Sequence, residues 1–154
     1  MATSFGKLCV HGRLLLVDID ERAVDNNDGL QYFSVEGQLE YVGFCDDFGT
    51  MSLGTLYQFC TVVDNKLERG TAPVGMLTKN DPKSLTNAVF LLGAYLIVRF
   101  DLTLSETVSR FSGIRSRICS YRDVSPGEQN FHLHVEDCWD GLWRAKQLLS
   151  LIHI

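Results

Sequence analysis

Cys138 and Arg144 stand six positions apart. This is the Cys, five residues, Arg spacing by which a thiolate attacks a phosphate ester while a planar guanidinium holds its oxygens. The pair works only on a loop that wraps the phosphate. Here Asp137 stands where a His would precede the Cys, and Ala145 where a Ser or Thr would follow the Arg. The run also lies inside an apolar-periodic segment that predicts a helix over Asn130 to Leu148. Six residues at 100° each set the two side chains about 120° apart on such a helix. The spacing predicts a core cysteine and a surface arginine.

Other constellations resolve in the same way. Asp47-Phe48-Gly49 has the residues of a kinase metal triplet, but no Gly-rich loop or catalytic-loop motif accompanies it; it reads as a turn into the next helix. Asp25 to Gly29, with Glu36 at the twelfth position, has the outline of a calcium loop. Leu30 stands at the sixth position, where Gly is required, so an exposed turn is expected. His132 and His134 are two apart, which on a helix turns their rings about 200° from each other. With Glu136 and Asp137 they predict a solvated helix start. Arg110, Arg115, Arg117 and Arg122 read as a solvated, salt-bridged face. We expect neither a metal nor a cofactor.

The segment 73–98 has the outline of a phosphate site. Pro73-Val74-Gly75-Met76-Leu77 predicts a short buried strand, Thr78 to Ser84 a polar loop, and Leu85 to Val98 an apolar helix. Loop amides and a helix N-terminus converge on an anion in such turns. In cysteine-dependent phosphatases the loop runs His-Cys, five residues, Arg, then a helix-starting Ser or Thr. Met76-Leu77-Thr78-Lys79-Asn80-Asp81-Pro82-Lys83-Ser84 has no Cys, no Arg and no Gly. Asp81 adds negative charge where a phosphate would sit, and Pro82 lacks an amide hydrogen.

The elements that must position these residues are legible in outline. Leu8 to Asp18 predicts a strand buried on both faces, and Gln31 to Val35 a second. Leu53, Leu56, Tyr57, Cys60 and Val63 fall on one helical face, with Ser52 as N-cap and Gly70 just past the end. Thr103-Leu104-Ser105-Glu106 is a capping box opening a short helix that stops at Gly113. Ser125-Pro126-Gly127 is a loop. The last helix carries Phe131, Val135, Cys138, Leu142 and Ala145 on one face. Strands and helices alternate, so the class is α/β.

Composition sets the outer bounds. The 154 residues suit one domain, and 45% apolar with 21% charged residues excludes wholesale disorder. A formal charge of −5 offers no whole-molecule field for nucleic acid and suits basic peptides or neutral partners. Five widely spaced cysteines without a Cys-x-x-Cys argue against a disulfide framework or zinc knuckle, and for reduced thiols in a cytoplasmic or nuclear protein. The first residues do not have the pattern of a signal peptide. The longest apolar run, Ala88 to Val98, is about half of the roughly 20 residues a membrane helix needs. It predicts a core helix, and no membrane partner.

Several runs occur in the order of a known domain: Tyr32 to Glu36, Glu40 to Gly49, Asn87 to Tyr95, Tyr121-Arg122-Asp123, and Asp137-Cys138. From about Tyr32 to Gln147 the chain resembles the N-terminal half of the mitotic-exit dual-specificity phosphatases (cell division cycle, number fourteen). The resemblance implies a phosphatase-like domain with a central mixed sheet flanked by helices. It implies a catalytically inactive half that shapes the substrate groove beside a C-terminal catalytic domain. Substrates would be phosphoproteins with phosphoserine followed by Pro and a basic residue nearby. Thr78-Lys79-Asn80-Asp81 is similar to the family's Thr-x-x-Asp in the inactive loop. That places Asp81, with Thr78, Lys79 and Asn80, at the groove wall.

The expected division is an N-terminal strand and turn region (1–30), the phosphatase-like domain (31–148) and a tail (149–154). The tail, Leu-Ser-Leu-Ile-His-Ile, is one translation of a transposon sequencing adapter and is read as non-native. Two rival readings stand beside the inactive phosphatase half. One is a free-standing interaction module on the same fold. The other is an enzyme with unrelated chemistry in the same crevice.

Overall fold

The apolar run from Leu8 to Asp18 folds as two strands, not one, in the computed structural model, which describes residues 4–19 and 27–149. Strand β1 (Lys7–His11) turns at Gly12, whose φ of 53° lies in the left-handed region open to glycine. The chain returns antiparallel as β2 (Leu14–Asp18). Leu16 and Val17 point to opposite faces and both are buried, so β2 is covered on both sides. Strand β1 is not: Lys7 and Cys9 are exposed and Val10 is buried, so the burial on both faces expected over Leu8 to Asp18 holds for β2 alone.

Strand β3 (Gln31–Phe33) is two residues shorter than the expected Gln31 to Val35 and pairs in parallel with β4 (Val74–Thr78). Strand β2 flanks β4 on its other side, also in parallel, and the sheet order is β1-β2-β4-β3. The sheet is therefore mixed. Residues 7–18, set apart from the main domain in the sequence reading, are half of it.

Helix α1 (Leu53–Glu68) starts at Ser52, whose hydroxyl accepts the Thr55 amide at 3.1 Å. Its buried face is Leu56, Phe59, Cys60 and Val63; Leu53 and Tyr57, expected there, are exposed. Phe59 completes the i, i+3, i+4, i+7 stripe from Leu56 and turns the helix away from Leu53. Arg13 closes the far end, donating to the carbonyls of Leu67 (2.7 Å) and Gly70 (2.6 Å).

Helix α2 (Pro82–Phe100) runs through the core, and every residue from Ala88 to Ile97 is buried. It begins three residues before the expected Leu85, because Asp81 caps it and Pro82 needs no amide at the first position. Asp64 of α1 accepts from Tyr95 (2.8 Å) and Arg99 (2.9 Å), tying the two helices together. Helix α3 (Leu104–Arg110) opens with the expected capping box of Thr103 and Glu106, and a 3-10 helix (Ser112–Arg117) follows.

Helix α4 (Val135–Leu149) begins later than Asn130, which leaves Phe131 outside it and exposed. Its anchor is Trp139, 2% exposed and absent from the expected face. The Trp139 Nε1 donates to the Phe90 carbonyl at 3.1 Å. Lys146 donates to the carbonyls of Ile97 (2.8 Å) and Val98 (3.1 Å) and pairs with Asp101, closing the end of α2. His132 and His134 precede α4, so the helical argument about their rings does not apply. The His134 amide instead donates to Asp137 at 2.8 Å. Of the calcium-like turn, Asp25 and Asn26 lie outside the described residues, as do positions 150–154 of the tail. Asp28 pairs with Lys7 at 2.5 Å.

Candidate functional site

The C-terminal ends of β3 and β4 and the start of α2 frame a crevice of about 370 Å³. Its floor is apolar, with Leu39, Phe48, Met51, Met76 and Leu91. Open parallel sheets put ligand sites at this end because helix N-termini converge there.

Of the residues expected at a groove wall, Thr78 and Lys79 line the crevice, while Asn80 and Asp81 stand beside it at the helix start. Thr78 is buried and its hydroxyl donates to the Lys79 carbonyl at 3.1 Å. Glu36, from the loop after β3, meets the Lys79 ammonium at 3.2 Å and accepts its amide at 3.4 Å. The Glu36 contact raises the Lys79 amine above its ordinary value. Glu36 and Lys79 thus close the crevice on one side as a neutral pair.

Asp81 adopts the extended N-cap conformation, and its carboxylate accepts the Ser84 amide at 3.0 Å. Desolvation pushes its carboxyl up, but the hydrogen bonds from Ser84 and the helix-start amides outweigh that and hold it below the ordinary range. The positive end of α2 is therefore already occupied by an anion on the same chain.

The opposite wall comes from residues 40–48, of which local sequence signals mark only Asp47 and Phe48, as an expected turn. Asp47 organises it. Its carboxylate accepts the amides of Phe44 and Cys45, each at 2.7 Å, and the Tyr41 hydroxyl. The Cys45 amide, more than the tyrosine, draws its carboxyl down to about 2. Asp47 is thus the staple of a bend at positions 44–46, and Phe48 forms an antiparallel bridge with Arg122, so the turn expected at Asp47-Phe48-Gly49 lies just before it. Lys83 lies over the Phe48 ring, 5.7 Å from its centroid. Asn87 enters from the first turns of α2, and its Oδ1 is buried without a hydrogen-bond partner. An Asn three positions after a helix-starting Ser was the available signal for this residue, since it must share the side of α2 that faces the loop.

The bend between β4 and α2 carries neither a thiol nor a guanidinium. Cys45 reaches the crevice from another loop. Cys138 is half-buried in α4, where desolvation pushes its thiol up to about 11. Arg144 is turned to Asp140 at 2.8 Å. The two do not converge on a common point, in keeping with their helical spacing. The basic stretch is split: Arg115 pairs with Glu136 at 3.2 Å, and Arg117 lies over the Phe5 ring.

The sequence matches a family model described as the N-terminal half of dual specificity protein phosphatases, over residues 8–145. The match takes in β1 and β2 as well as the segment from Tyr32 onward. Among curated relatives, Dual specificity protein phosphatase CDC14C of Symphalangus syndactylus is 29% identical over 77% of this chain and 25% of its own length. Tyrosine-protein phosphatase CDC14 of Candida albicans is 29% identical over 88% of this chain and 25% of its own length. The Saccharomyces cerevisiae protein of the same name is 27% identical over 90% and 25%. The chain spans about a quarter of the length of these relatives. With its mixed sheet, its buried α2 and its phosphate-type bend, the chain belongs to the CDC14-like family of dual specificity protein phosphatases, as an N-terminal half.

Proposed function

We propose that this domain is the catalytically inactive half of a dual-specificity protein phosphatase, serving substrate recognition and scaffolding for a C-terminal catalytic domain. One observation carries the reading. The bend from Thr78 to Pro82 offers no nucleophile and no phosphate clamp, and Asp81 fills the anion position at the start of α2. A phosphate dianion arriving there meets a fixed carboxylate and one amide fewer, since Pro82 has none.

The substrates of the complete protein would be phosphoproteins with phosphoserine followed by Pro and a basic residue nearby. Glu40 and Asp47 on the crevice wall favour a basic segment, while Glu36 is neutralised by Lys79. The whole would act through a phosphocysteine intermediate on the other half, in the cytoplasm or nucleus, without nucleic acid, membrane or metal. The test is hydrolysis of a phosphoserine-proline peptide by purified residues 1–148. No turnover is expected. Turnover that survives Cys138→Ser overturns the proposal.

The second reading, a free-standing interaction module, draws on the exposure of Val42 (89%) and Phe44 (92%) beside the crevice. Genomic sequence past Leu148 separates the two. The first reading requires a downstream His-Cys, five residues, Arg; the second requires a stop.

A further inference from the structure

Three prolines occur in the 154 residues, at 73, 82 and 126, and they follow Ala72, Asp81 and Ser125. Ser125-Pro126 is therefore the only Ser-Pro or Thr-Pro step in the chain. Proline biases the residue before it toward extended backbone, the form in which kinase clefts take their substrates. Residues 122–128 are all exposed. The base of this loop is pinned by the Tyr121 amide donating to Leu133 (2.8 Å) and by reciprocal bonds between Phe48 and Arg122 (2.9 and 2.8 Å). The tip can thus be drawn out without opening the core.

We propose that Ser125 is a phosphorylation site for a proline-directed protein kinase, and that the phosphate rebuilds the loop around Arg122. With ATP as donor, Ser125 Oγ bonds to the γ-phosphorus as the bond to the bridging β,γ-oxygen breaks. The hydroxyl proton passes to the kinase's base, and ADP leaves.

The unmodified loop is organised by the Asp123 carboxylate, which accepts the Ser125 amide at 2.8 Å and the Gln129 side-chain amide at 3.1 Å. Gln129 in turn accepts the Asp123 amide at 3.1 Å. A dianion on Ser125 is repelled by Asp123 and ends that arrangement. Arg122 is the only basic residue between Tyr121 and Asn130, and its guanidinium already donates into the loop at the Gly127 carbonyl, 3.4 Å away. It becomes the partner of the phosphate. The loop also touches the crevice wall, because the Cys45 thiol lies 3.9 Å from the Val124 carbonyl. Modification would therefore be felt at the crevice mouth. This inference stands independently of the phosphatase reading.

The experiment incubates the folded chain with a purified mitogen-activated protein kinase and ATP and maps the product by mass spectrometry. One phosphate on Ser125 is expected, abolished by Ser125→Ala and strongly reduced by Pro126→Ala. No incorporation into the folded chain overturns the proposal, whether or not a peptide of residues 119–131 is modified. So does incorporation that persists in Ser125→Ala. Phosphorus NMR reads the second claim. The phosphoserine should ionise at lower pH in the folded chain than in the peptide, and Arg122→Ala should erase the difference. Equal ionisation in chain and peptide overturns the role of Arg122.

Discussion

Trp139 rests on Gly93 with no space for a β-carbon between them. An atom built there would lie 2.1 Å from the indole Cζ2 and 2.2 Å from Cε2. The contact brings α4 against the buried middle of α2, and the Trp139 bond to the Phe90 carbonyl fixes the indole in place. Gly93→Ala must push a fixed ring, not the end of a flexible chain. A loss of about 3 kcal/mol is expected from overpacking of this kind. Urea denaturation followed by tryptophan fluorescence measures it, and an unchanged midpoint refutes the packing argument.

Asp81 caps α2 through the Ser84 amide. Asp81→Ala should cost about 1 kcal/mol, and Asp81→Asn, which keeps a capping oxygen, clearly less. Equal losses for the two variants would mean that the cap bond is not the source of the effect.

Stability should fall in acid. Lys7 draws the Asp28 carboxyl down to about 2, and the Cys45 amide does the same for Asp47. The unfolded chain takes up these protons near the ordinary value of 3.8. The stabilisation is therefore complete above about pH 4 and lost as pH falls toward 2. The urea midpoint is expected to be lower at pH 3 than at pH 7. Asp47→Asn should flatten that dependence, and an unaltered slope counts against the Asp47 staple.

Thiol reactivity should follow burial. Desolvation pushes Cys60 and Cys138 up to about 11, whereas Cys9 and Cys45 are exposed. Iodoacetamide at neutral pH should label Cys9 and Cys45 first and Cys60 last. Early labelling of Cys138 would signal a thiolate that the fold does not support.

Local signals in the sequence mark the caps at Ser52 and Thr103, the core helix and a strand-to-helix bend without a Cys or an Arg. Each is decided within a few residues of chain. The hairpin at Gly12 escapes because Leu8 to Asp18 is read as one continuous strand through His11-Gly12-Arg13; only β2 is buried on both faces, while Lys7 and Cys9 of β1 are exposed. Trp139 escapes because its role depends on a glycine 46 positions earlier, a contact that no periodicity encodes. The Tyr41–Asp47 wall is a loop stapled by one carboxylate, and such order arises from hydrogen bonds invisible to hydropathy. Asp81-Pro82 falls inside the expected loop Thr78 to Ser84, yet it is the cap and first-turn pair of a helix start.

The bond from Asp81 to its own helix also constrains any anion that enters the bend. A carboxylate tethered beside the first turn competes intramolecularly, and its effective concentration exceeds what a freely diffusing phosphate monoester reaches. Grafting a cysteine and an arginine into this bend would supply the reagents yet leave the seat taken. A phosphate bound in this bend would first have to displace that resident carboxylate and would leave a less firmly started helix.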